Sequence, residues 1–171
     1  MPVELLYPLY VAFPFALAYA AASDLLTMTI SNRISLLLIA CFVALAPLTG
    51  MGLTVFAQHV SAGAVMLAVT FTLFSLGWIG GGDAKLAAVI ALWFGWTPAT
   101  IEFVGLSAIF GGCLTMAILG FRRTPLPAFA MRTPWVQRLH NAGAGVPYGI
   151  ALAAGGLAVY PHSIWTQMLV G

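Results

Sequence analysis

The chain has 171 residues, of which 62% are hydrophobic and only 6% are charged, and its formal net charge is +2. A soluble domain carries about 25% charged residues, so this composition excludes an ordinary soluble protein. The positive charge is too small and too scattered for a nucleic-acid-binding protein. The composition therefore predicts an integral membrane protein with a single domain over residues 1–171.

Six apolar segments are candidates for transmembrane helices, each of which needs about 20 mostly apolar residues. They cover residues 5–23, 34–53, 60–79, 84–100, 101–121 and 146–160. The polar stretch 122–144 is predicted to be a loop. The fourth segment is short before its Thr97-Pro98 pair. It either crosses a thinned region, extends into 97–103, or begins below the membrane surface, where protein or water must cover its glycine-rich start. Only the third arrangement would build a site. The pattern predicts an all-α membrane protein, a polytopic bundle of about six transmembrane helices.

The basic residues indicate how the chain crosses the membrane. Arg33 lies between the first and second segments, Lys85 at the start of the fourth, and the other four arginines in 122–144. With six spans these three loops share one face, and the positive-inside rule makes that face cytoplasmic. Both termini are then on the outer, periplasmic side. The same topology brings Asp24 and Asp83 to the cytoplasmic face.

Asp83 follows three glycines, Gly80, Gly81 and Gly82. A carboxylate is costly near lipid, so its presence needs a reason. One reason is capping of the helix that begins after it, where a negative charge suits the helix dipole. Capping does not explain the glycines, which are costly in a helix and leave the backbone open to close approach. The three glycines are therefore predicted to form a loop against which an extended peptide substrate could lie.

Asp24, the other aspartate, ends the first apolar segment, where the helix dipole disfavours a negative charge. It could cap a following turn or pair with Arg33, but its unfavourable position favours a function. Two carboxylates in close contact share one proton. The ionised member can take a proton from water while the protonated member hydrogen-bonds a scissile carbonyl. This chemistry uses no metal and no cofactor, and none is predicted.

Three stretches resemble the type IV prepilin peptidases, a family of membrane aspartic proteases with a G-x-G-D motif. Residues 24–33 resemble the family's first active-site region, and Gly80-Gly81-Gly82-Asp83-Ala84-Lys85-Leu86 resembles G-x-G-D followed by x-K-L. Val146-Pro147-Tyr148-Gly149 resembles the start of the family's last helix. The resemblance implies a hydrolase with Asp24 and Asp83 as its catalytic dyad. It would cut the leader from prepilins or pseudopilins, after a glycine, at the cytoplasmic face of the bacterial inner membrane.

The chain also departs from the family pattern. Ser31 stands where the family has proline, which predicts a looser start to the second helix. Longer members have a cytoplasmic region with paired cysteines that is linked to N-methylation of the cleaved pilin, whereas Cys41 and Cys113 form no such pair. The chain therefore resembles the short, peptidase-only form of Flp-type (tight adherence) pilus systems, and N-methylation is not expected. Its expected partners are the prepilin and the lipid bilayer, and docking of the pilus-assembly machinery on 122–144 stays open.

Lys85 and Asn32 each have two interpretations. Lys85 is either an anchor that extends to the membrane surface or a group that shapes the electric field around the two aspartates or contacts substrate. Asn32 either caps the second helix or orients the substrate-binding loop beside Asp24. Two other functions also stay open. They are a small transporter or channel, in which acids mark an ion path, and a non-catalytic pilus-assembly subunit whose aspartates are both caps.

Overall fold

The computed structural model describes residues 7–127 and 130–170, and all regular structure in these ranges is helical. The eight α-helices in this part of the chain are α1 (Tyr7–Thr27), α2 (Asn32–Leu48), α3 (Leu53–Ser75), α4 (Gly81–Phe94), α5 (Pro98–Arg122), α6 (Pro134–His140), α7 (Gly149–Val159) and α8 (Ile164–Val170). Short 3-10 turns lie at Ala130–Arg132, Ala142–Ala144 and Tyr160–His162. The predicted all-α fold is confirmed.

Three helices of the described chain are long and apolar enough to cross a membrane, namely α1, α3 and α5. Helix α2 is apolar but has 17 residues. Helices α4 and α7 have 14 and 11 residues. At 1.5 Å per residue they are about 21 Å and about 16 Å long, shorter than the ~30 Å hydrocarbon core. The chain is thus a membrane protein, while the count of six crossings and the sides of the termini stay predictions.

The two short helices lie inside the bundle. Nine of the 14 residues of α4 are buried, on all sides of the helix. It packs against α2, α3 and α7, and α7 packs in turn against α1 and α5. Irregular backbone at membrane depth is tolerated where protein covers it. The longer helices supply that cover, so α4 and α7 can begin below the membrane surface.

An aromatic cluster fixes the end of α4 that lies opposite its glycine-rich start. Trp93 Nε1 donates to Leu38 O at 3.1 Å, and Trp165 Nε1 donates to Trp93 O at 2.6 Å. Tyr160 OH donates to Tyr10 O at 2.7 Å. Buried polar groups that find such partners avoid a desolvation penalty and specify one packing. The cluster therefore fixes the position of α4 relative to α1, α2 and α8.

Several boundaries differ from the predicted segments. The second helix ends at Leu48, because Gly50 turns the chain with a φ of +73°. Helix α3 consequently begins at Leu53, earlier than the predicted 60. Helix α1 continues to Thr27, beyond the predicted 23, and Asp24 lies in its last turn. Within the predicted loop 122–144 the structure places α6, which begins at Pro134, a residue well suited to the first position of a helix.

Candidate active site

Asp24 is buried, with 5% of its surface exposed, and it contacts the beginning of another helix. Its Oδ2 accepts a hydrogen bond from the backbone N–H of Gly149, the first residue of α7, at 2.8 Å. The first N–H groups of a helix have no intrahelical partner and carry a partial positive charge. Asp24 therefore occupies the unfavourable end of α1 and the favourable end of α7. Its partner is a distant helix, not the following turn or Arg33.

Gly149 allows this contact because it has no side chain. A Cβ atom at position 149 would lie 2.8 Å from Asp24 Oδ2 and 2.5 Å from Ile30 Cδ1. Both distances are shorter than real Cβ contacts; Asp24 is buried, and Ile30 is partly buried against the core. Any other residue would have to displace Asp24 or Ile30.

Asp83 lies in the first turn of α4, and the N-cap of this helix is Gly80. Asp83 is thus not the N-cap residue, although its side chain takes part in capping the helix from the third helical position. The Asp83 side chain reaches back, and its Oδ2 accepts from the Gly80 N–H at 3.2 Å. This bond is one half of a capping box, and it holds the carboxylate against the start of the helix.

The glycine run is also more helical than expected. Only Gly80 is extended, with φ −74° and ψ 148°, whereas Gly81 and Gly82 belong to the first turn of α4. A Cβ atom on Gly82 would lie 3.0 Å from Ile30 Cβ. Glycine at this position lets the start of α4 approach the link between α1 and α2. The same contact draws Asp83 toward the last turn of α1, where Asp24 lies.

Both aspartates line one cavity of about 710 Å³. The carboxyl end of α1 and the amino ends of α4 and α7 meet here. The other lining residues are Met28, Gly77, Trp78, Ile79, Gly80, Thr115, Ala144, Gly145, Val146, Pro147 and Tyr148. The structure thus brings together two carboxylates that are far apart in the sequence.

The pKa of Asp83 departs from the ordinary value of an aspartate. It precedes the predicted span 84–100 and lies outside the three long apolar helices. Burial, and to a smaller extent the neighbouring Asp24 carboxylate, raise the pKa of Asp83 to about 6, against the opposing effect of the hydrogen bond from Gly80. The effect of Asp24 on Asp83 indicates that the two carboxylates lie close enough to interact electrostatically.

The raised pKa of Asp83 predicts a pH-dependent cost in stability. The folded state binds the proton more tightly than the unfolded state, so stability is lost as pH rises from about 4 through about 6. Asp83→Asn removes this cost and is expected to stabilise the protein at pH 8 by on the order of 2 kcal/mol, after allowing for partial exposure. Thermal unfolding in detergent should show this gain at pH 8 and little gain at pH 4. An equal gain at both pH values would contradict the ionisation account.

Lys85 and Asn32 do not line the cavity that contains the two aspartates. Lys85 Nζ donates to Asn32 Oδ1 at 2.8 Å, and both residues line a separate groove between α2, α3 and α4. Asn32 is the first residue of α2, and Ser31 is the N-cap, accepting from the Arg33 N–H at 3.3 Å. The capping interpretation of Asn32 is therefore wrong, and the serine that replaces proline has a capping role. Substrate contact by Lys85 and Asn32 stays a prediction.

Sequence patterns did not predict that the segment before α7 forms one wall of the cavity. Arg122 donates from Nε to Leu139 O at 2.8 Å and from a second nitrogen to Gly145 O. Arg138 donates to Leu26 O in α1. These bonds tie the segment to α5 and α1, beside Asp24. The sequence feature that pointed to this segment was the Pro-Tyr-Gly run, because its glycine contacts the Asp24 carboxylate.

Tyr148 forms part of the same wall and is accommodated by a glycine on α5. A Cβ atom at Gly111 would lie 2.2 Å from the Tyr148 ring, so this position has no room for a side chain. Tyr148 OH donates to Ser107 O at 3.3 Å. The ring is thereby fixed between α5 and α7 at the edge of the cavity.

The fold and this site define a helical membrane protein with two carboxylates in one cavity. Within residues 7–127 and 130–170, no cluster of three or more His, Cys, Asp or Glu side chains could hold a metal ion. Residues 11–121 match the model of the type IV leader peptidase family, and this match includes Asp24 and Asp83. The chain belongs to the type IV leader peptidase family. Membership implies a peptidase that acts on leader peptides, with prepilins in general as substrates. No curated protein and no solved structure matches the chain.

Proposed function

We propose that this protein is an aspartic endopeptidase that removes the leader from Flp-type prepilins or pseudopilins at the cytoplasmic face of the bacterial inner membrane. Asp24 and Asp83 are its catalytic dyad, and N-methylation is not part of its activity. One observation carries the proposal. Two carboxylates from distant parts of the chain line the same cavity and interact, in a member of a leader peptidase family.

The dyad acts on a water molecule held between the carboxylates. The ionised member takes a proton from water as the oxygen attacks the scissile carbonyl carbon, and the protonated member donates a hydrogen bond to the carbonyl oxygen. The tetrahedral intermediate then loses the amine, which takes up a proton from the pair. In the described part of the chain, backbone hydrogen bonds engage Oδ2 of Asp24 and Oδ2 of Asp83. The Oδ1 atoms are thus the ones offered to water and substrate.

The segment before α4 supports the substrate side of the proposal. Gly77, Trp78, Ile79 and Gly80 line the cavity next to Asp83. Gly80 has extended backbone, and Trp78 is 73% exposed. An extended leader can lie along this segment and pair with its main chain. The proposed substrate surface is therefore 77–80, whereas Gly81 and Gly82 serve to position α4.

The test uses the full chain in liposomes together with a full-length Flp-type prepilin. The expected result is one cut after a glycine at the end of the leader, read from the intact masses of both products. Glu102→Gln is the matched control, because Glu102 is an exposed acid near the start of α5, away from the cavity. This variant should cut at the wild-type rate. No product, or a cut only within the mature region, would contradict the proposal.

A non-catalytic assembly subunit is the second candidate, and one observation favours it. Each aspartate makes a bond of the helix-capping type, Asp24 to Gly149 and Asp83 to Gly80. A helix-capping bond such as the one made by Asp24 contributes about 1 kcal/mol to stability in ordinary proteins. Asparagine variants separate the two functions, because asparagine can cap a helix but cannot transfer a proton.

A further inference from the structure

A second cavity lies on the lipid-facing side of the bundle, apart from the aspartates. It is a groove of about 470 Å³ between α2, α3 and α4. Helix α4 forms the floor with small residues such as Ala88, and the walls include Ile39 and Val43 of α2 and Ala64 and Leu67 of α3. The groove is thus apolar along its length.

The groove is open at one end and closed at the other. At the closed end, the Phe42 ring stacks on Phe56 with centroids 5.7 Å apart, and it lies 5.5 Å from the ring of His59. These contacts join α2 to α3. From Asn32 at the open end to Phe42, α2 rises by about 15 Å. That depth is about half of the ~30 Å hydrocarbon core, which is the thickness of one leaflet.

A positive charge lies at the open end. Lys85 is exposed, and its Nζ donates to Asn32 Oδ1 at 2.8 Å. An ammonium group has three N–H donors, so this bond leaves two for a ligand. Among residues 7–127 and 130–170, no acid lies within ion-pair distance of Lys85. The groove thus combines an apolar channel one leaflet deep with an unneutralised cation at the membrane surface.

We infer that the groove binds one anionic phospholipid, with an acyl chain lying between α2 and α3 as far as Phe42 and the phosphate at Lys85. The exposed Lys85 ammonium favours an anionic lipid over an apolar transmembrane helix as the occupant, because a basic group at the end of an apolar groove attracts an anionic headgroup. The site does not depend on the proposed peptidase activity. It gives Lys85 and Asn32 a ligand where the sequence suggested substrate.

Native mass spectrometry of the purified full chain tests the inference. The protein is titrated in detergent with phosphatidylglycerol or phosphatidylcholine of identical acyl chains, and the bound lipids are counted. Wild type should retain one phosphatidylglycerol in preference to phosphatidylcholine. Lys85→Gln should reduce that preference about fivefold, the usual contribution of one basic residue near an anionic headgroup. Lys85→Arg should preserve it. Ala64→Phe, which fills the groove, should reduce retention of both lipids.

Two control variants separate this site from the general annulus of lipid. Arg33→Gln removes a cation that lines a different surface, and Val65→Phe enlarges an exposed residue next to Ala64 but outside the groove. Both should behave as wild type. The inference is overturned if Lys85→Gln keeps the wild-type lipid preference, or if Ala64→Phe binds as much lipid as Val65→Phe. It is also overturned if Ala64→Phe instead dissociates a dimer, or if it blocks cross-linking of a prepilin helix to an Ile39→Cys variant.

Discussion

Replacement of Asp24 or of Asp83 by asparagine is expected to lower the rate of leader cleavage by about a thousandfold, within the range that positioned acid-base groups contribute. Asparagine neither takes up nor releases a proton at neutral pH. Its side-chain oxygen still accepts from Gly149 at position 24 or from Gly80 at position 83, so the helix ends keep their hydrogen bonds. The measurement is the initial rate of product formation in liposomes that contain equal amounts of each variant.

The double variant and the melting temperatures provide the controls. Groups that act as a unit show non-additive losses, so Asp24→Asn combined with Asp83→Asn should be no slower than the worse single variant. The Asp83→Asn protein should melt no lower than wild type at pH 8, because it no longer has a buried charge beside Asp24. A rate within tenfold of wild type in either single variant would remove that residue from the dyad. The assembly-subunit interpretation would then be preferred.

Local sequence patterns predicted the apolar helices, but neither α6 nor the arrangement of the bundle. Apolar runs indicated α1 to α5 and α7, since hydropathy depends on composition alone. The fourth run was visibly short, but no pattern indicated that α4 and α7 are inner helices, because burial by protein and burial by lipid select the same residues. The distinction depends on which helices surround them, and that is a property of tertiary packing.

Charge and topology predict the two aspartates of the site, but not the contacts that hold them in place. The loop charges and the G-x-G-D resemblance pointed to Asp24 and Asp83 at one face, and the structure places both on one cavity. The hydrogen bond from Gly149 to Asp24 joins residues far apart in sequence, so no local pattern specifies it. The cost of glycine in helices predicts an open loop for residues 80–82. At Gly82 the deciding factor is instead the close approach of Ile30.

Gly149→Ala is expected to slow cleavage by about a hundredfold, the usual effect of moving a catalytic group by about 1 Å. The new methyl group would lie 2.8 Å from Asp24 Oδ2, so the carboxylate must turn away from α7 and from its alignment with Asp83. The loss should fall mainly on kcat, because residues 77–80, proposed to hold the leader, are unchanged. Gly143→Ala is the matched control in the same segment. Its Cβ would meet only Asn141 Oδ1, at an ordinary 3.5 Å.

A second substitution separates the catalytic effect of Gly149→Ala from its effect on folding. The same methyl group would lie 2.5 Å from Ile30 Cδ1, an atom that valine lacks. Ile30→Val in the Gly149→Ala background should therefore recover part of the lost melting temperature. It should not recover the rate, because the contact with Asp24 remains. If both recover together, Gly149 serves only to pack the bundle. If stability alone recovers, the start of α7 positions Asp24 for the reaction.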